Sequence, residues 1–285
     1  MDWSALFLQV NPWLAGAGFV LGAVVGLLLG LTGAGGGILA VPLLMFALDL
    51  GVARAAPIGL LAVGLAAAMS AALGLRDGIV RYRAAALMGG LALVLAPLGV
   101  AAAQRVPNTP LTFAFAAVLA LAAWRMWQRA RVASRACADE ARDLLPCVLD
   151  ARDGRLVWTR PCAQALALTG VAAGLLSGLL GVGGGFVIAP ALTRFTELSA
   201  RSIVATSLAV IALASVGGVG AAAWHGAIVW PIALPFAVGS VAASLLARTI
   251  AGRVAGPRLQ QGFALVSAGV AALLLARGLG WLVAR

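Results

Sequence analysis

Two glycine clusters are the part of this chain best suited to bind a ligand. The first contains Gly33, Gly35, Gly36 and Gly37, and the second contains Gly181, Gly183, Gly184 and Gly185. Consecutive glycines make poor helix, at about 1 kcal/mol each relative to Ala, so we expect unwound backbone at both places. A helix that restarts near Ile38 and near Phe186 would present free N–H groups and the positive end of its dipole. The clusters therefore predict an anion site, with a hinge or packing turn without a ligand as the alternative.

Hydroxyl and guanidinium groups near the clusters add to this prediction. Thr32 precedes the first cluster, whereas Leu180 holds the corresponding place in the second. Thr206 and Ser207 can donate hydrogen bonds to an oxyanion, or can bond to a carbonyl one turn back in their own helix. Arg54 and Arg201 can attract or clamp an anion, or can reach the lipid headgroups.

Other reactive side chains are sparse. His225, the only histidine, corresponds to Asp77 when the two halves are aligned, and we expect it to lie at the membrane interface without a transport role. The spacing of Cys137, Cys147 and Cys162 does not match a zinc site, so we expect reduced, unpaired thiols and no metal. The sequence has no lysine and therefore no Walker motif, and it predicts no cofactor.

The glycines belong to an internal repeat. Seven glycines of the first half recur 148 residues later, and Pro42 recurs as Pro190 in the same register. Part of the repeat is a small-xxx-small stripe that lets helices approach closely in lipid. The stripe consists of Gly22, Gly26 and Gly30 in the first copy and of Gly170, Gly174 and Gly178 in the second. We expect these six glycines and the two prolines to be structural.

The composition is that of a membrane protein. Hydrophobic residues make up 63% and charged residues 10%, with a mean hydropathy of +1.06, whereas soluble domains carry about 25% charged residues. Apolar runs near or above the roughly 18 residues needed to span hydrocarbon recur along the chain. The net charge of +11 is then explained by arginines at the ends of membrane helices and not by nucleic-acid binding. The sequence predicts an all-α polytopic membrane protein.

Two transmembrane repeats, 14–128 and 163–282, flank a basic linker, 129–162. Each repeat is expected to contain a glycine-broken segment and three further spans. If the broken segment re-enters on one side, the repeats are inverted; if it crosses, they are parallel. With the linker inside, the inverted arrangement places 16 of the 20 arginines inside and the parallel one places 13. The positive-inside rule therefore favours inverted repeats and a cytoplasmic linker.

The doubled motif GLxxGLxGxGGGxxxxP, beginning at Gly26 and at Gly174, resembles the TauE/SafE family of sulfite and organosulfonate exporters. The segment from Ala205 to Leu208 is similar to the ATSL element of that family, although the first half has Pro57-Ile58-Gly59-Leu60 instead. The resemblance implies a bacterial inner-membrane protein that exports sulfite or a small organosulfonate. It does not fix the oligomeric state, and a homodimer is one possibility.

Combined with the residues, the resemblance predicts a carrier that binds a small anion between the two glycine clusters by alternating access. Another small-anion carrier or a channel is the alternative within transport. A membrane sensor or assembly component that uses the linker to bind a partner is the alternative outside it. An enzyme is disfavoured, because the chain has one histidine and scattered carboxylates.

Overall fold

The computed structural model describes residues 12–133, 147, 159–254 and 257–283. In these ranges ten α-helices follow one another, as the composition predicts. They are α1 Pro12–Thr32, α2 Ala40–Leu48, α3 Val52–Arg76, α4 Tyr82–Arg105, α5 Asn108–Ala133, α6 Arg160–Leu180, α7 Gly185–Phe195, α8 Ala200–Trp224, α9 Trp230–Val254 and α10 Pro257–Val283. The prediction of an all-α polytopic membrane protein is confirmed. Helix α5 extends past the predicted start of the linker, and α6 begins before its predicted end.

Local sequence explains where several helices begin and end. The hydroxyl of Thr159 accepts a hydrogen bond from Cys162 N at the start of α6, and Ser199 caps α8 in the same way through Ser202 N. Two residues after α3 and after α8 the chain turns at a glycine with positive φ, Gly78 at 67° and Gly226 at 64°. Glycine is favoured at such positions because it has no Cβ to clash. The two ends are equivalent in the repeat.

The predicted glycine stripes pack as expected. A Cβ on Gly22 or Gly26 of α1 would overlap the backbone of Phe236 or Ser240 of α9, so these helices touch closely and run in the same direction. The second stripe does the same, because Gly170 and Gly174 of α6 lie against Met88 and Ala92 of α4. Each stripe therefore fastens the first helix of one half to a helix of the other half.

The central pair of helices, α3 and α8, runs antiparallel. Gly64 lies against Ser215, and Gly74 lies against Ala205. Helix α9 turns back from α8 and therefore runs in the same direction as α3. Because α1 is parallel to α9, helix α1 also runs in the same direction as α3. The chain between the end of α1 and the start of α3 must therefore run back toward the side that α1 came from, so α1 and α2 form a hairpin. By the same reasoning α6 and α7 form a second hairpin, which opens toward the other end of the bundle.

Seven helices in the described part of the chain are long and apolar enough to cross a membrane: α1, α3, α4, α5, α6, α8 and α9. Helices α2 and α7 are shorter, and in α10 a 15-residue apolar segment, Gly262–Ala276, was identified. Helices α5 and α10 pack mainly against each other, at the side of the bundle formed by the remaining helices. The broken segments thus each combine one membrane-length helix with one short returning helix.

The bundle has two ends, which we name by the linker. The linker end contains the end of α3 and the starts of α4, α6 and α8; the far end contains the start of α3 and the ends of α4 and α8. Arg54 and Arg105 lie at helix termini of the far end. The linker end has more arginines among the described residues, including Arg76, Arg81, Arg83, Arg125, Arg160, Arg194, Arg201 and Arg248.

The expectation of unpaired thiols is wrong for two of the three cysteines. Cys147 forms a disulfide with Cys162, and both are buried. The reason is local: Cys147 N donates a hydrogen bond to Phe195 O, and Cys147 pairs with Thr196 in an isolated bridge. This contact holds one residue of the linker beside the first turn of α6, with 5.0 Å between the two Cα atoms. Cys137 lies outside the described residues.

Candidate functional site

The second glycine cluster forms an irregular turn between α6 and α7. Gly181, Gly183 and Gly184 have φ of 70°, 75° and 69°, a conformation that glycine adopts without a steric penalty. Gly181 N donates to Ser177 O, whereas the N–H groups of Val182, Gly183 and Gly184 donate to no acceptor in the described part of the chain. No side chain caps α7, which starts at Gly185. The turn therefore offers unused donors at a helix N-terminus.

The first glycine cluster is more regular. Residues Gly33–Leu39, which include Gly35 and Gly36, form a 3-10 helix, and only Gly33 in it has positive φ, at 72°. Ala40 N donates to Gly37 O, so the later N–H groups are satisfied as the helix continues. The hydroxyl of Thr32 donates to Leu28 O at 2.6 Å, one turn back in its own helix. It retains lone pairs and has no capping bond to the turn.

The two turns meet halfway along the central helices. A Cβ on Gly37 would lie 3.2 Å from the carbonyl oxygen of Val182 and 3.0 Å from Cγ1 of Val63. A Cβ on Gly183 would lie 3.3 Å from the same Val63 atom and 2.8 Å from Cγ2 of Ile211. Val63 and Ile211 are both the twelfth residue of a 25-residue helix. The predicted juxtaposition of the clusters is therefore present near the middle of the bundle.

The space between the turns is closed. The described residues of both turns are buried, and apolar side chains fill the surroundings. A cavity of about 10 Å³ lies nearer the far end, where Ala56, Pro57, Val100 and Gln104 are among its lining residues. Such a volume holds at most about one water molecule. A small oxyanion can reach the turns only if the helices move apart.

The predicted hydroxyl pair lies on α8 and is engaged within the protein. Thr206 Oγ1 accepts from Arg81 N at 3.1 Å, and Ser207 Oγ donates to Val204 O at 2.8 Å. Both residues are fully buried. One turn earlier, Ser202 Oγ donates to Ile79 O at 2.8 Å. In this state Ser202 and Thr206 hold the connection between α3 and α4 against α8, a role that the sequence did not indicate.

The two predicted arginines do not come together. Arg54 is exposed in the first turn of α3, and Arg201 is exposed in the first turn of α8. Because α3 and α8 are antiparallel, the two residues lie at opposite ends of the bundle. Arg54 and Arg201 therefore cannot clamp one anion jointly. That each arginine attracts anions to its own end of the bundle stays a prediction. His225 is exposed at the far end, where it follows the last residue of α8.

Sequence reasoning missed an ion pair between the halves. Arg248 of α9 donates to Asp77 Oδ2 at 2.6 Å, and its other terminal nitrogen donates to Ser70 O at 3.1 Å. The two side chains are 34% and 55% exposed. The repeat contained a sign of this pair, because Arg248 has an uncharged counterpart, Val100, 148 residues earlier and so breaks the similarity of the two halves. Among the residues that the structure describes there is no cluster of metal-ligating side chains.

These elements define a class of protein. Seven membrane-length helices in the described ranges, with two broken hairpins whose turns meet near the middle, are typical of polytopic transporters. The sulfite exporter TauE/SafE family matches residues 18–274 of this chain. The chain therefore belongs to the TauE/SafE sulfite exporter family, and it is a membrane transporter.

Two curated relatives agree with that assignment. The chain is 28% identical over 267 residues to a probable membrane transporter protein of Xylella fastidiosa strain 9a5c, covering 92% of this chain and 95% of the relative. It is 29% identical over 269 residues to a protein of the same description from strain Temecula1 / ATCC 700964, with the same coverage. No solved structure shows a significant match.

Proposed function

We propose that this protein exports a small sulfur oxyanion, sulfite or a small organosulfonate, by alternating access across the two glycine turns. The observation that carries the proposal is the set of unused N–H groups of Val182, Gly183 and Gly184 at the start of α7. Donors of this kind at a helix N-terminus favour a negative charge. The opposing first turn, at Gly37, forms the other side of the proposed site.

The closed state supports alternating access over an open pore. Both turns are buried, and the small cavity described above lies toward the far end and not between the turns. Each hairpin packs on a helix of the other half, and the hairpins open toward opposite ends, as an inverted repeat requires. We propose that rocking of the halves exposes the turns to one side and then to the other.

The membrane potential supplies the direction of transport. An inside-negative potential drives an anion outward by about 2.3 kcal/mol per charge per 100 mV. Export therefore requires no coupling ion in this proposal. Strict dependence on a proton gradient, lost when His225 or Asp77 is replaced, would contradict it.

The test is flux from proteoliposomes loaded with sulfite at a set membrane potential, with sulfate, taurine and sulfoacetate as competitors. We expect saturable, potential-driven sulfite flux. The variant Gly183→Ala should reduce it, because the methyl group lies 2.8 Å from Ile211 and strains a left-handed residue at the donor turn. The matched control is Gly226→Ala, which has a similar φ of 64° and an open environment. Equal losses in both variants would count against the site.

The same assay separates the second candidate, another small-anion carrier or a channel. Flux of a different anion with saturation would keep the site and change the substrate. Flux without saturation at modest concentration would indicate a channel. Absence of flux for every anion, in protein that stays monodisperse, would favour the sensor or assembly role, which deletion of residues 134–146 would then probe.

Orientation is part of the proposal. The arginine distribution supports a cytoplasmic linker, whereas the disulfide of Cys147 is of a kind that is uncommon in the reducing cytosol. We place the linker inside, because many arginines support it and one disulfide opposes it. In sealed cells, a membrane-impermeant maleimide should leave Cys137 unlabelled until the membrane is opened. Labelling of Cys137 in intact cells would show that the linker lies outside.

A further inference from the structure

The two ends of the bundle are sealed differently. At the far end the small cavity lies beside Val100 of α4, near Ala222 of α8. In the repeat, Val100 corresponds to Arg248 of α9 and Ala222 corresponds to Gly74 of α3, and both counterparts lie at the linker end. Where one half has a valine beside a small cavity, the other half has a guanidinium.

The guanidinium of Arg248 is held by groups of the opposite half. One nitrogen contacts the carboxylate of Asp77, at the end of α3, and another contacts the carbonyl of Ser70. Both partners belong to the first half, whereas α9 belongs to the second. The contacts therefore tie the halves together at the linker end, and both side chains remain partly accessible to solvent.

The partner of Arg248 has the charge and geometry of the proposed substrate. A guanidinium recognises carboxylate and other planar or tetrahedral oxyanions through the same N–H donors. An anion that enters from the linker end therefore competes directly with Asp77 for Arg248. A second guanidinium supports a cationic entrance here, since Arg81 lies in the same α3–α4 connection and its buried Nε has no hydrogen-bond partner.

We infer that Arg248 binds the anionic substrate at the linker-end entrance, and that Asp77 occupies Arg248 when no anion is bound. This inference rests on the proposed function and adds to it a named entrance residue. Binding of the anion releases Asp77, and with it the tie between α9 and α3. The ion pair thus couples arrival of the substrate to opening of the linker end.

The two members of the pair then have opposite effects on affinity. Removal of a charged hydrogen-bond donor in Arg248→Gln should weaken sulfite binding by about tenfold or more. Removal of the competing carboxylate in Asp77→Asn should strengthen it by about threefold or more. The double variant should resemble Arg248→Gln, because Asp77 acts only through Arg248. An ion pair with a purely structural role predicts instead that both single variants weaken binding.

The experiment is calorimetric titration of sulfite into the detergent-solubilised full-length protein, with the four forms compared. Arg76→Gln is the matched control, since Arg76 is exposed next to Asp77 and its loss changes the local charge equally. Size-exclusion profiles and melting temperatures confirm that each variant is folded. Equal weakening by Asp77→Asn and Arg248→Gln, or the same effect from Arg76→Gln, would overturn the inference.

Failure of the proposed function gives a different result. If the unmodified protein binds no anion among sulfite, sulfate and taurine, both the proposed function and the entrance residue fall. If the unmodified protein binds sulfite but the variants show no opposite effects, the proposed function stands and only the role of Arg248 falls.

Discussion

The first glycine turn continues as a 3-10 helix from Gly33 to Leu39, whereas the second is an irregular loop with three left-handed glycines. Their sequences differ mainly in the residues between the glycines, where Ala34 corresponds to Val182 and Thr32 to Leu180. In the second turn the N–H groups of Val182, Gly183 and Gly184 have no acceptor in the described part of the chain. A sequence repeat thus specifies where the chain breaks but not how the backbone is arranged at the break.

The largest expected difference between the turns is in tolerance of a methyl group at their first glycine, Gly33 in one turn and Gly181 in the other. Gly181→Ala should lower the free energy of unfolding by about 3 kcal/mol, because it combines left-handed strain of about 1–2 kcal/mol with overpacking of about 1–3 kcal/mol. Its Cβ would overlap the backbone of Ala56, which cannot move aside. Gly33→Ala has the same strain, but its Cβ has its nearest contacts with the Val204 side chain, the shortest at 2.6 Å. Thermal melting in detergent should rank Gly181→Ala below Gly33→Ala, and equal melting temperatures would show that the turns do not differ in this way.

The disulfide is a second difference, since it ties the linker to the second hairpin. Cys162→Ser should destabilise the protein by about 3 kcal/mol, the chain-entropy value for a loop of this length, the separation being 15 residues. Alkylation followed by mass spectrometry should modify one thiol before reduction and three after it. The control Cys137→Ser should leave the melting temperature unchanged. Modification of all three thiols without reductant would remove this distinction between the hairpins.

A smaller effect tests whether contact with Val204 causes the cost of Gly33→Ala. In the double variant Gly33→Ala/Val204→Ala, removal of the valine methyl groups gives the new Cβ room, so stability should recover by about 1 kcal/mol relative to Gly33→Ala. The parallel double variant is not available at Gly181, because there the obstacle is backbone. A melting temperature no higher than that of Gly33→Ala would mean that left-handed strain alone accounts for the cost.

The smallest expected effect concerns Thr32. Because its hydroxyl already donates to Leu28 O and the second half has Leu180 at this place, Thr32→Val should change the apparent KM for sulfite by less than about twofold, well under the loss of a charged hydrogen bond. Sulfite flux measured over a range of concentrations tests this. A tenfold rise in KM would move the main anion contacts from the second turn to the first.

Much of the fold could be predicted from the sequence because local and periodic signals determine it. The apolar runs located the spans, and the stripe from Gly22 to Gly30 predicted close helix contacts, which α9 provides. The GLxxGLxGxGGGxxxxP motif gave the family. What the stripe could not give is the identity of its partner, since a small-residue face accepts any helix that offers a matching surface.

The site was harder to predict, because its contacts join distant positions. Ser202 and Thr206 bond to the backbone of the α3–α4 connection, more than 120 residues away in sequence, and backbone groups carry no sequence signal. The pair of Arg248 and Asp77 spans 171 positions. The disulfide depends on Cys147 meeting Phe195 and Thr196, which spacing between cysteines does not reveal.

The packing of α1 on α9 has a consequence for synthesis of the protein. Helix α1 enters the membrane early, but its partner is made some 200 residues later. At typical rates of about 5–20 residues per second, the glycine face of α1 waits roughly 10–40 s against lipid or the insertion machinery. Helix α6, in contrast, finds α4 already in place. The second hairpin can therefore pack against its partner helix before the first hairpin can, and a premature stop before α9 leaves the glycine face of α1 without its partner.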